Sequence, residues 1–277
     1  MNASTLELRP GQSVDLLKAL HIVTRDGRIN QDSRRKLKQV YHLYQFIEPL
    51  LDEVLVSRPE LNLVDHGAGK SYLGFILYDL FCKPRGIVAR ICGVETRDEL
   101  VTRSRELAAH LGFAGMEFHR LSVAEAIASV ALPERVDVVT ALHACDTATD
   151  DAIRFALHKR ARFVVLVPCC QAEVAAELRR TKAQALARDG LAELWRHPIH
   201  TREFGSHVTN VLRCLQLEAH GYQVQVTELV GWEHSLKNEL IVARHKGAPQ
   251  AKTARRLSSL LEMLGLEALS ARFYVPG

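Results

Sequence analysis

Leu63-Val64-Asp65-His66-Gly67-Ala68-Gly69-Lys70-Ser71-Tyr72-Leu73 is the stretch of sequence that decides the fold of this chain. A short apolar run ends in an acidic residue, a Gly-Ala-Gly turn follows, and an amphipathic segment begins at Leu73. This order predicts a strand, a tight turn and a helix. Because glycine adopts left-handed backbone conformations and lets a ligand approach closely, the turn predicts a binding site at the start of the helix.

Strands and helices alternate downstream of this unit. The run from Phe163 to Val167 is entirely apolar, which is typical of a strand buried on both faces of a parallel sheet. The predicted strands are 61–65, 86–95, 116–121, 135–142 and 161–167, followed by an antiparallel pair at 222–230 and 240–243. The sequence therefore predicts an α/β fold, with a Rossmann-like, doubly wound, mostly parallel seven-stranded sheet and an antiparallel last strand.

Two extensions flank the alternating region. We predict an N-terminal helical extension at residues 1–59, a ligand-binding domain at 60–246 and a helical tail at 247–277. The first extension contains a long amphipathic pattern over residues 32–56. Pro49 lies inside this pattern and predicts a kink or a division into two helices.

The charge of the chain is mildly basic. Its 277 residues carry a net charge of +4, and basic residues concentrate at 25–38 and 244–256. These segments are either solvated faces or arms that bind nucleic-acid phosphates. The sequence shows neither a signal peptide nor an apolar run of membrane-spanning length. We therefore expect a cytoplasmic protein with six reduced cysteines and no membrane partner.

Three interpretations compete for the glycine turn. A P-loop would need a glycine where this chain has Val64, and a dinucleotide fingerprint would need a third glycine where it has Tyr72. Both patterns are therefore incomplete.

The third interpretation is an S-adenosylmethionine site. Such a site opens with an acid and a G-x-G turn, here Asp65, Gly67 and Gly69. A second acid at the end of the next strand can accept hydrogen bonds from both ribose hydroxyls, and Glu95 stands there. The segment after the third strand, Ser122-Val123-Ala124-Glu125, would contact the adenine, although Ser122 replaces the acid often found at that place.

These features make the chain resemble the class I S-adenosylmethionine-dependent methyltransferases over residues 60–245. More narrowly, it is similar to a subfamily with motifs after strands four and five that here read His143-Ala144-Cys145 and Pro168-Cys169-Cys170. That group includes relatives of a tRNA 2′-O-methyltransferase. The resemblance implies S-adenosylmethionine as cofactor, methyl transfer as reaction and RNA as acceptor.

The strand ends and the resemblance together define a candidate site. The predicted cofactor-binding residues are Asp65, His66, Gly67, Ala68, Gly69, Tyr72, Glu95, Ser122, Val123, Glu125 and Leu142. On the acceptor side we predict His143 and Lys237 as candidate bases, and Cys169 and Cys170 as part of the wall that orients the acceptor. A base is needed only if the acceptor must lose a proton, as a ribose hydroxyl must.

Other interpretations of the His/Cys cluster stay open. Its small residues could simply pack the floor of a cleft. A zinc site of the deaminase type is a poorer match, because the adjacent Cys169 and Cys170 cannot reproduce C-x-x-C ligand geometry. We therefore expect no metal.

Three alternative functions remain at this stage. The first is a small-molecule methyltransferase, in which residues 195–207 would form a lid over a closed pocket. The second is a non-catalytic RNA-binding module that keeps the fold. The third is a P-loop nucleotide hydrolase.

Overall fold

The computed structural model of the protein describes residues 8–24, 31–142, 146–168, 171–185, 193, 196–229 and 239–273, with the backbone alone for 32, 33, 35, 36 and 181–185. Two helices precede an alternating region of strands and helices, and a helix follows it. The helices are α1 (Val14–Ala19), α2 (Gln31–Ser57), α3 (Tyr72–Leu77, continued by a π-helical turn at Tyr78–Cys82), α4 (Asp98–His110), α5 (Val123–Ala128), α6 (Thr147–His158), α7 (Glu173–Ala185), α8 (Pro198–Ala219) and α9 (Ala251–Met263). The strands are β1 (Glu60–His66), β2 (Val88–Glu95), β3 (Met116–Arg120), β4 (Val138–Leu142), β5 (Phe163–Val167), β6 (Tyr222–Glu228) and β7 (Glu239–His245).

The strands form one seven-stranded sheet in the order β3-β2-β1-β4-β5-β7-β6. β1 to β5 pair in parallel, and β7 runs antiparallel to both of its neighbours, β5 and β6. The predicted fold class is therefore confirmed, including the antiparallel last strand. β2 and β4 lie on opposite sides of β1, so the strand order reverses there. Such a reversal opens a ligand-binding crevice at the carboxyl ends of the strands.

Helices cover both faces of the sheet. Side chains alternate along β1, so Leu63 joins a core with α2, α3 and α4 while Val64 joins a second core with α5, α6 and α8. A third cluster joins α7, α8 and α9. The sheet is thus the middle layer of three, which explains why its central strands read as continuous apolar runs.

The long N-terminal helix α2 runs without interruption through Pro49. Of the two predicted outcomes at this residue, the division into two helices is wrong, and the kink stays a prediction. Ile47, Leu51 and Val54 are fully buried on either side of the proline, within the same core as β1. The burial of this apolar face outweighs the loss of one backbone hydrogen bond at the proline.

The apolar pattern of residues 206–219 predicts a helix that begins at Ser206, but helix α8 begins eight residues earlier, at Pro198. Proline suits the first position of a helix because its missing N–H would have no intrahelical partner there. The Thr201 hydroxyl donates to the carbonyl of His197 at 3.1 Å and strengthens this first turn. Much of the segment considered as a lid is therefore the start of a helix.

The proposed division at residues 59 and 246 stays a prediction. In the structure α2 shares a core with β1, and α9 packs against α8. Within the described part of the chain, every helix is too short or too polar to cross a membrane.

Candidate cofactor-binding site

A cleft of about 420 Å³ opens at the carboxyl ends of the central strands. Its volume falls within the range of small-molecule sites, roughly 300–1,000 Å³. The residues that line it come from β1, β2, the segment after β3 and the start of α6: His66, Gly67, Val94, Glu95, Thr96, Arg97, Leu121, Ser122, Val123, Ala148 and Asp151. Five of the predicted cofactor-binding residues are among them.

The glycine turn after β1 has left-handed backbone conformations at alternate residues. The φ angles of Gly67, Gly69 and Ser71 are 63°, 57° and 50°. Such angles favour glycine, and Ser71 adopts one at a steric cost. The N–H of Ala68 donates to the carbonyl of Val94 at 3.0 Å, which ties the turn to the end of β2.

Glu95 ends β2 and faces the turn with its carboxylate. Its Oε2 accepts a hydrogen bond from the N–H of Gly69 at 2.9 Å, and its Oε1 accepts from the N–H groups of Thr96 and Arg97 at 2.9 and 3.1 Å. Burial alone would raise the pKa of Glu95, but the hydrogen bonds and charge of Arg97, with the Gly69 N–H, lower it to about 2. The group is therefore an anion at all physiological pH values.

The side chain of Arg97 lies against this carboxylate. Its Nε and Nη2 each lie 3.1 Å from an oxygen of Glu95, and the side chain is 61% exposed. Sequence reasoning missed this contact. A ligand hydroxyl that bonds to Glu95 must therefore share the carboxylate with an exposed guanidinium or displace it.

Asp65 lies beneath the turn, and its carboxyl group is buried. It accepts hydrogen bonds from the hydroxyls of Thr140, at 2.7 Å, and Ser71, at 3.3 Å. Burial raises the pKa of Asp65 to about 6, against the effect of these two donors. Asp65 does not line the cleft, so it supports the turn from below.

His66 is a buried polar residue in the cleft wall. It is 5% exposed, and its ring lies 5.5 Å from that of Phe155. Burial lowers the pKa of His66 to about 4, against the attraction of Glu95, so the ring is neutral. Among the described residues, none offers a hydrogen bond to its buried Nε2. A buried ring nitrogen of this kind is expected to find its partner in a ligand.

The segment after β3 contributes Ser122 and Val123 to the cleft. Glu125, however, forms a capping box with Ser122: its Oε2 accepts from the Ser122 N–H at 2.7 Å, and its own N–H donates to the Ser122 hydroxyl. The structure thus gives Glu125 a role in starting α5 instead of a place in the cleft wall. The Ser-x-x-Glu spacing is a readable signature of such a box.

The remaining predicted residues are placed as follows. Tyr72 starts α3, and Leu142 ends β4; both are half-buried and pack against the core on the α2 side of the sheet. All four residues predicted for the acceptor side, His143, Cys169, Cys170 and Lys237, lie outside the described residues.

Cys92, Glu117 and His119 bring possible metal-ligand atoms within 4.8 Å of one another on β2 and β3. Both carboxylate oxygens of Glu117 accept hydrogen bonds from Arg90, at 2.8 and 2.9 Å. Burial raises the pKa of the Cys92 thiol to about 12. We therefore interpret this group as an ion pair beside a protonated thiol.

The geometry of the cleft fits a nucleoside cofactor. An anionic carboxylate ends the second strand, where it can accept hydrogen bonds from ribose hydroxyls, and the glycine turn lies within hydrogen-bonding distance of it. His66 supplies a buried ring nitrogen without a protein partner among the described residues. Fold and cleft together define a Rossmann-like protein that binds a nucleoside cofactor at the switch point of its sheet.

Comparison with known proteins gives the family. A family model described as a methyltransferase domain matches residues 35–177, just over half of the chain. The chain therefore belongs to this family of methyltransferase domains. It is an enzyme, a class I S-adenosylmethionine-dependent methyltransferase, and S-adenosylmethionine is its cofactor.

Solved structures resemble the chain more distantly. Magnesium protoporphyrin IX methyltransferase from Synechocystis PCC 6803, solved with bound SAH, is 14% identical, with a TM-score of 0.48 over 84% of this chain and 93% of that one. An rRNA methylase from Streptococcus thermophilus is 8% identical, with a TM-score of 0.40 over 68% of this chain and 89% of that one. These scores are too low to carry an argument about the acceptor. A search of the curated proteins finds none that matches the chain significantly.

Proposed function

We propose that this methyltransferase transfers the methyl group to RNA, a tRNA or an rRNA. We further propose that it belongs with the relatives of a tRNA 2′-O-methyltransferase that carry the motif found here at Pro168-Cys169-Cys170. The observation that carries the RNA proposal is the position of the basic start of α2, at the same edge of the sheet as the cleft.

The contacts along α2 support this position. Glu53, near the end of the helix, pairs at 2.7 Å with Arg162, which directly precedes β5 at the amino edge of the sheet. Further back along α2, the Tyr44 hydroxyl contacts the Leu80 carbonyl at 3.3 Å, in the helical stretch that descends from the glycine turn. Arg85, just beyond that stretch, pairs with Glu48 and Asp52, which follow Tyr44 along α2. Since α2 therefore runs parallel to that stretch, which begins at the carboxyl edge, its first turns lie toward the carboxyl edge.

Distances along the elements agree with this placement. A helix rises 1.5 Å per residue, so Lys38 lies about 22 Å from Glu53 along the axis. A seven-residue strand such as β1 spans about 23 Å. The exposed Lys38 and the half-buried Arg34, one turn earlier, therefore lie at the height of the cleft, where they can bind the phosphates of a substrate.

The second basic segment, residues 244–256, lies at the opposite edge. Arg244 pairs in register with Phe163, the first residue of β5, and α9 follows from there. Lys252 and Arg255 are exposed on this helix. This segment can contact only a substrate large enough to reach around the sheet, so it contributes less to the proposal than α2 does.

The residues of the chain would divide the work of methyl transfer. When bound, S-adenosylmethionine supplies a methyl group that is already activated for transfer. Glu95 would accept hydrogen bonds from the ribose, and the turn at Gly67–Gly69 would bring the backbone close to the cofactor. The acceptor must be held in line at about 3 Å from the methyl group, and a ribose hydroxyl would also need a base. His143 and Lys237 stay the predicted bases.

Methyl incorporation into RNA tests the proposal. Purified protein is incubated with labelled S-adenosylmethionine and either total tRNA, rRNA or an RNA-free metabolite extract. The double variant Arg34→Glu/Lys38→Glu should lose RNA methylation, most strongly at low salt, because it reverses two cations near the cleft and the attraction of such cations to phosphates is screened as salt rises. Its matched control is Lys252→Glu/Arg255→Glu, which reverses two charges at the opposite edge.

We expect both double variants to bind S-adenosylmethionine as the wild type does. The RNA proposal fails if label enters the metabolite extract and no RNA, which would favour a small-molecule methyltransferase. It also fails if the two double variants methylate RNA equally well. Tight binding of RNA without methyl transfer would instead indicate a binding module.

A further inference from the structure

Helix α8 carries a fully buried arginine, Arg213. Arg213 has no exposed surface, and its guanidinium binds the carboxylate of Asp150 on α6 through two hydrogen bonds, Nε to Oδ1 at 2.7 Å and Nη2 to Oδ2 at 3.0 Å. Replacing a buried ion pair by apolar residues is often neutral or stabilising. The pair therefore calls for an explanation other than stability.

The same guanidinium holds the chain where it leaves β4. Its Nη2 donates to the backbone carbonyl of Asp146 at 2.8 Å. Asp146 has a φ of 48° and a ψ of −118°, a conformation that costs energy in any residue but glycine. The Asp146 carboxylate in turn accepts from the N–H groups of Ala172 and Glu173, at 3.1 and 3.4 Å. Arg213 thus stabilises a strained residue that bridges to the chain after β5.

Asn210, one turn earlier on α8, extends the network to Gln171, after β5, and to Glu239, at the start of β7. Its Oδ1 accepts from Arg213 Nη1 at 3.2 Å and from Gln171 Nε2 at 3.0 Å. Its Nδ2 donates to Glu239 Oε2 at 2.7 Å. Because arginine can only donate and the carboxylate can only accept, the orientation of the Asn210 amide is determined.

Three residues held by this network border segments that matter for the reaction. Asp146 follows β4, Gln171 follows β5, and Glu239 begins β7, all at the carboxyl edge of the sheet. They adjoin, in turn, residues 143–145, 169–170 and 230–238. These are the segments that contain all four residues predicted for the acceptor side.

We propose that Asn210 and Arg213 are positioning residues for methyl transfer, which fix the relative places of Asp146, Gln171 and Glu239 from one helix. This inference rests on the proposed function, in which the acceptor is oriented by the segments that these three residues border. In-line transfer is sensitive to placement, because a shift of about 1 Å can cost roughly a hundredfold in rate. A rigid, buried network is suited to prevent such a shift.

The test exchanges the roles of two partners in the network. In Asn210→Asp, the new carboxylate faces that of Glu239 and the pair is broken. In Asn210→Asp/Glu239→Gln, the glutamine can donate to the new aspartate, so the contact is restored with donor and acceptor reversed. Thr209→Val is the matched control, because Thr209 is also buried on α8 and its hydroxyl donates to the Gly205 carbonyl, at 2.6 Å, within the same helix.

Three quantities are measured for each protein: S-adenosylmethionine affinity by calorimetry, kcat and KM for methyl transfer to total tRNA, and hydrogen exchange of the amides of residues 172 and 173. For Asn210→Asp we expect kcat to fall at least about tenfold, with cofactor affinity and KM within about twofold. Exchange at 172 and 173 should accelerate. The double variant should recover most of kcat and of the protection, and Thr209→Val should match the wild type.

The proposal is overturned if Asn210→Asp keeps its kcat, or if cofactor affinity falls as steeply as kcat, which would indicate general destabilisation. Failure of the double variant to recover kcat also overturns it. If the wild type methylates no RNA at all, the proposed function fails separately. The hydrogen-exchange comparison then decides: unchanged exchange at residues 172 and 173 in Asn210→Asp would refute the network's anchoring role.

Discussion

The backbone N–H of Gly69 donates a hydrogen bond to Oε2 of Glu95 across 2.9 Å, and this contact joins the turn after β1 to the acid that ends β2. Two separate elements of the cofactor site are thereby held in one arrangement before any cofactor binds. The same carboxylate also accepts hydrogen bonds from the backbone N–H groups of Thr96 and Arg97 and from the guanidinium of Arg97.

Glu95→Gln should weaken S-adenosylmethionine binding by about 1–3 kcal/mol, since hydrogen bonds to a charged acceptor are worth about that much. Calorimetric titration measures the change. Glu99→Gln, at an exposed position in the first turn of α4, is the control for loss of one negative charge and should leave the affinity unchanged. Equal affinities for wild type and Glu95→Gln would remove Glu95 from the site.

Arg97→Ala should bind S-adenosylmethionine about twofold to fivefold more tightly than the wild type. The arginine occupies both oxygens of Glu95, and an exposed ion pair of this kind contributes about 0.2–1 kcal/mol that the ribose must overcome. Competition binding against a fluorescent adenosine analogue resolves a change of this size. Weaker binding by the variant would show that Arg97 itself holds the cofactor.

Gly69→Ala should destabilise the protein by about 1–2 kcal/mol, because an L side chain is strained at a φ of 57°. Gly86→Ala is the matched control, with a φ of 61° and open space around the added methyl group. Both variants should lose similar unfolding free energy in urea. Only Gly69→Ala should also weaken cofactor binding, since a backbone that relaxes from this φ would move the N–H that donates to Glu95. Identical cofactor affinities would contradict this account of the turn.

Asp65 and His66 should give the unfolding free energy opposite dependences on pH. Folding raises the pKa of Asp65 from 3.8 to about 6, so its contribution to stability falls as pH rises through that window. Folding lowers the pKa of His66 from 6.5 to about 4, so its contribution rises with pH over nearly the same window. The two effects largely cancel in the wild type.

Single variants should reveal each slope. Relative to wild type, Asp65→Asn should gain stability as pH rises between about 4 and 6, and His66→Gln should gain it as pH falls, each by up to about 1.4 kcal/mol per pH unit. Urea denaturation at several pH values within the window measures both. Parallel curves for the wild type and either variant would show that the residue keeps its ordinary pKa in the folded protein.

Much of this architecture could be predicted from the sequence. Strand β5 ends at Val167 and strand β2 ends at Glu95, both as predicted, because apolar runs and the residues that terminate them are local signals. Five predicted residues line the cleft for the same reason: carboxyl ends of parallel strands meet at one edge.

Other features depend on contacts between distant segments. Arg97 is an ordinary charged residue in the sequence, and only the folded chain brings its guanidinium onto Glu95. Asn210 and Arg213 interrupt the apolar pattern of α8 and look like solvent-facing positions, yet both are buried. The continuity of α2 through Pro49 likewise reflects tertiary packing that overrides a local signal.

Calorimetric titration of the wild-type protein with S-adenosylmethionine, and separately with ATP and magnesium, tests the central claim most directly. A cleft formed by the glycine turn, Glu95 and His66 should bind S-adenosylmethionine at a single site and give no heat with ATP and magnesium. Binding of ATP alone would contradict the account, because it would make the turn a nucleotide-phosphate site despite Val64.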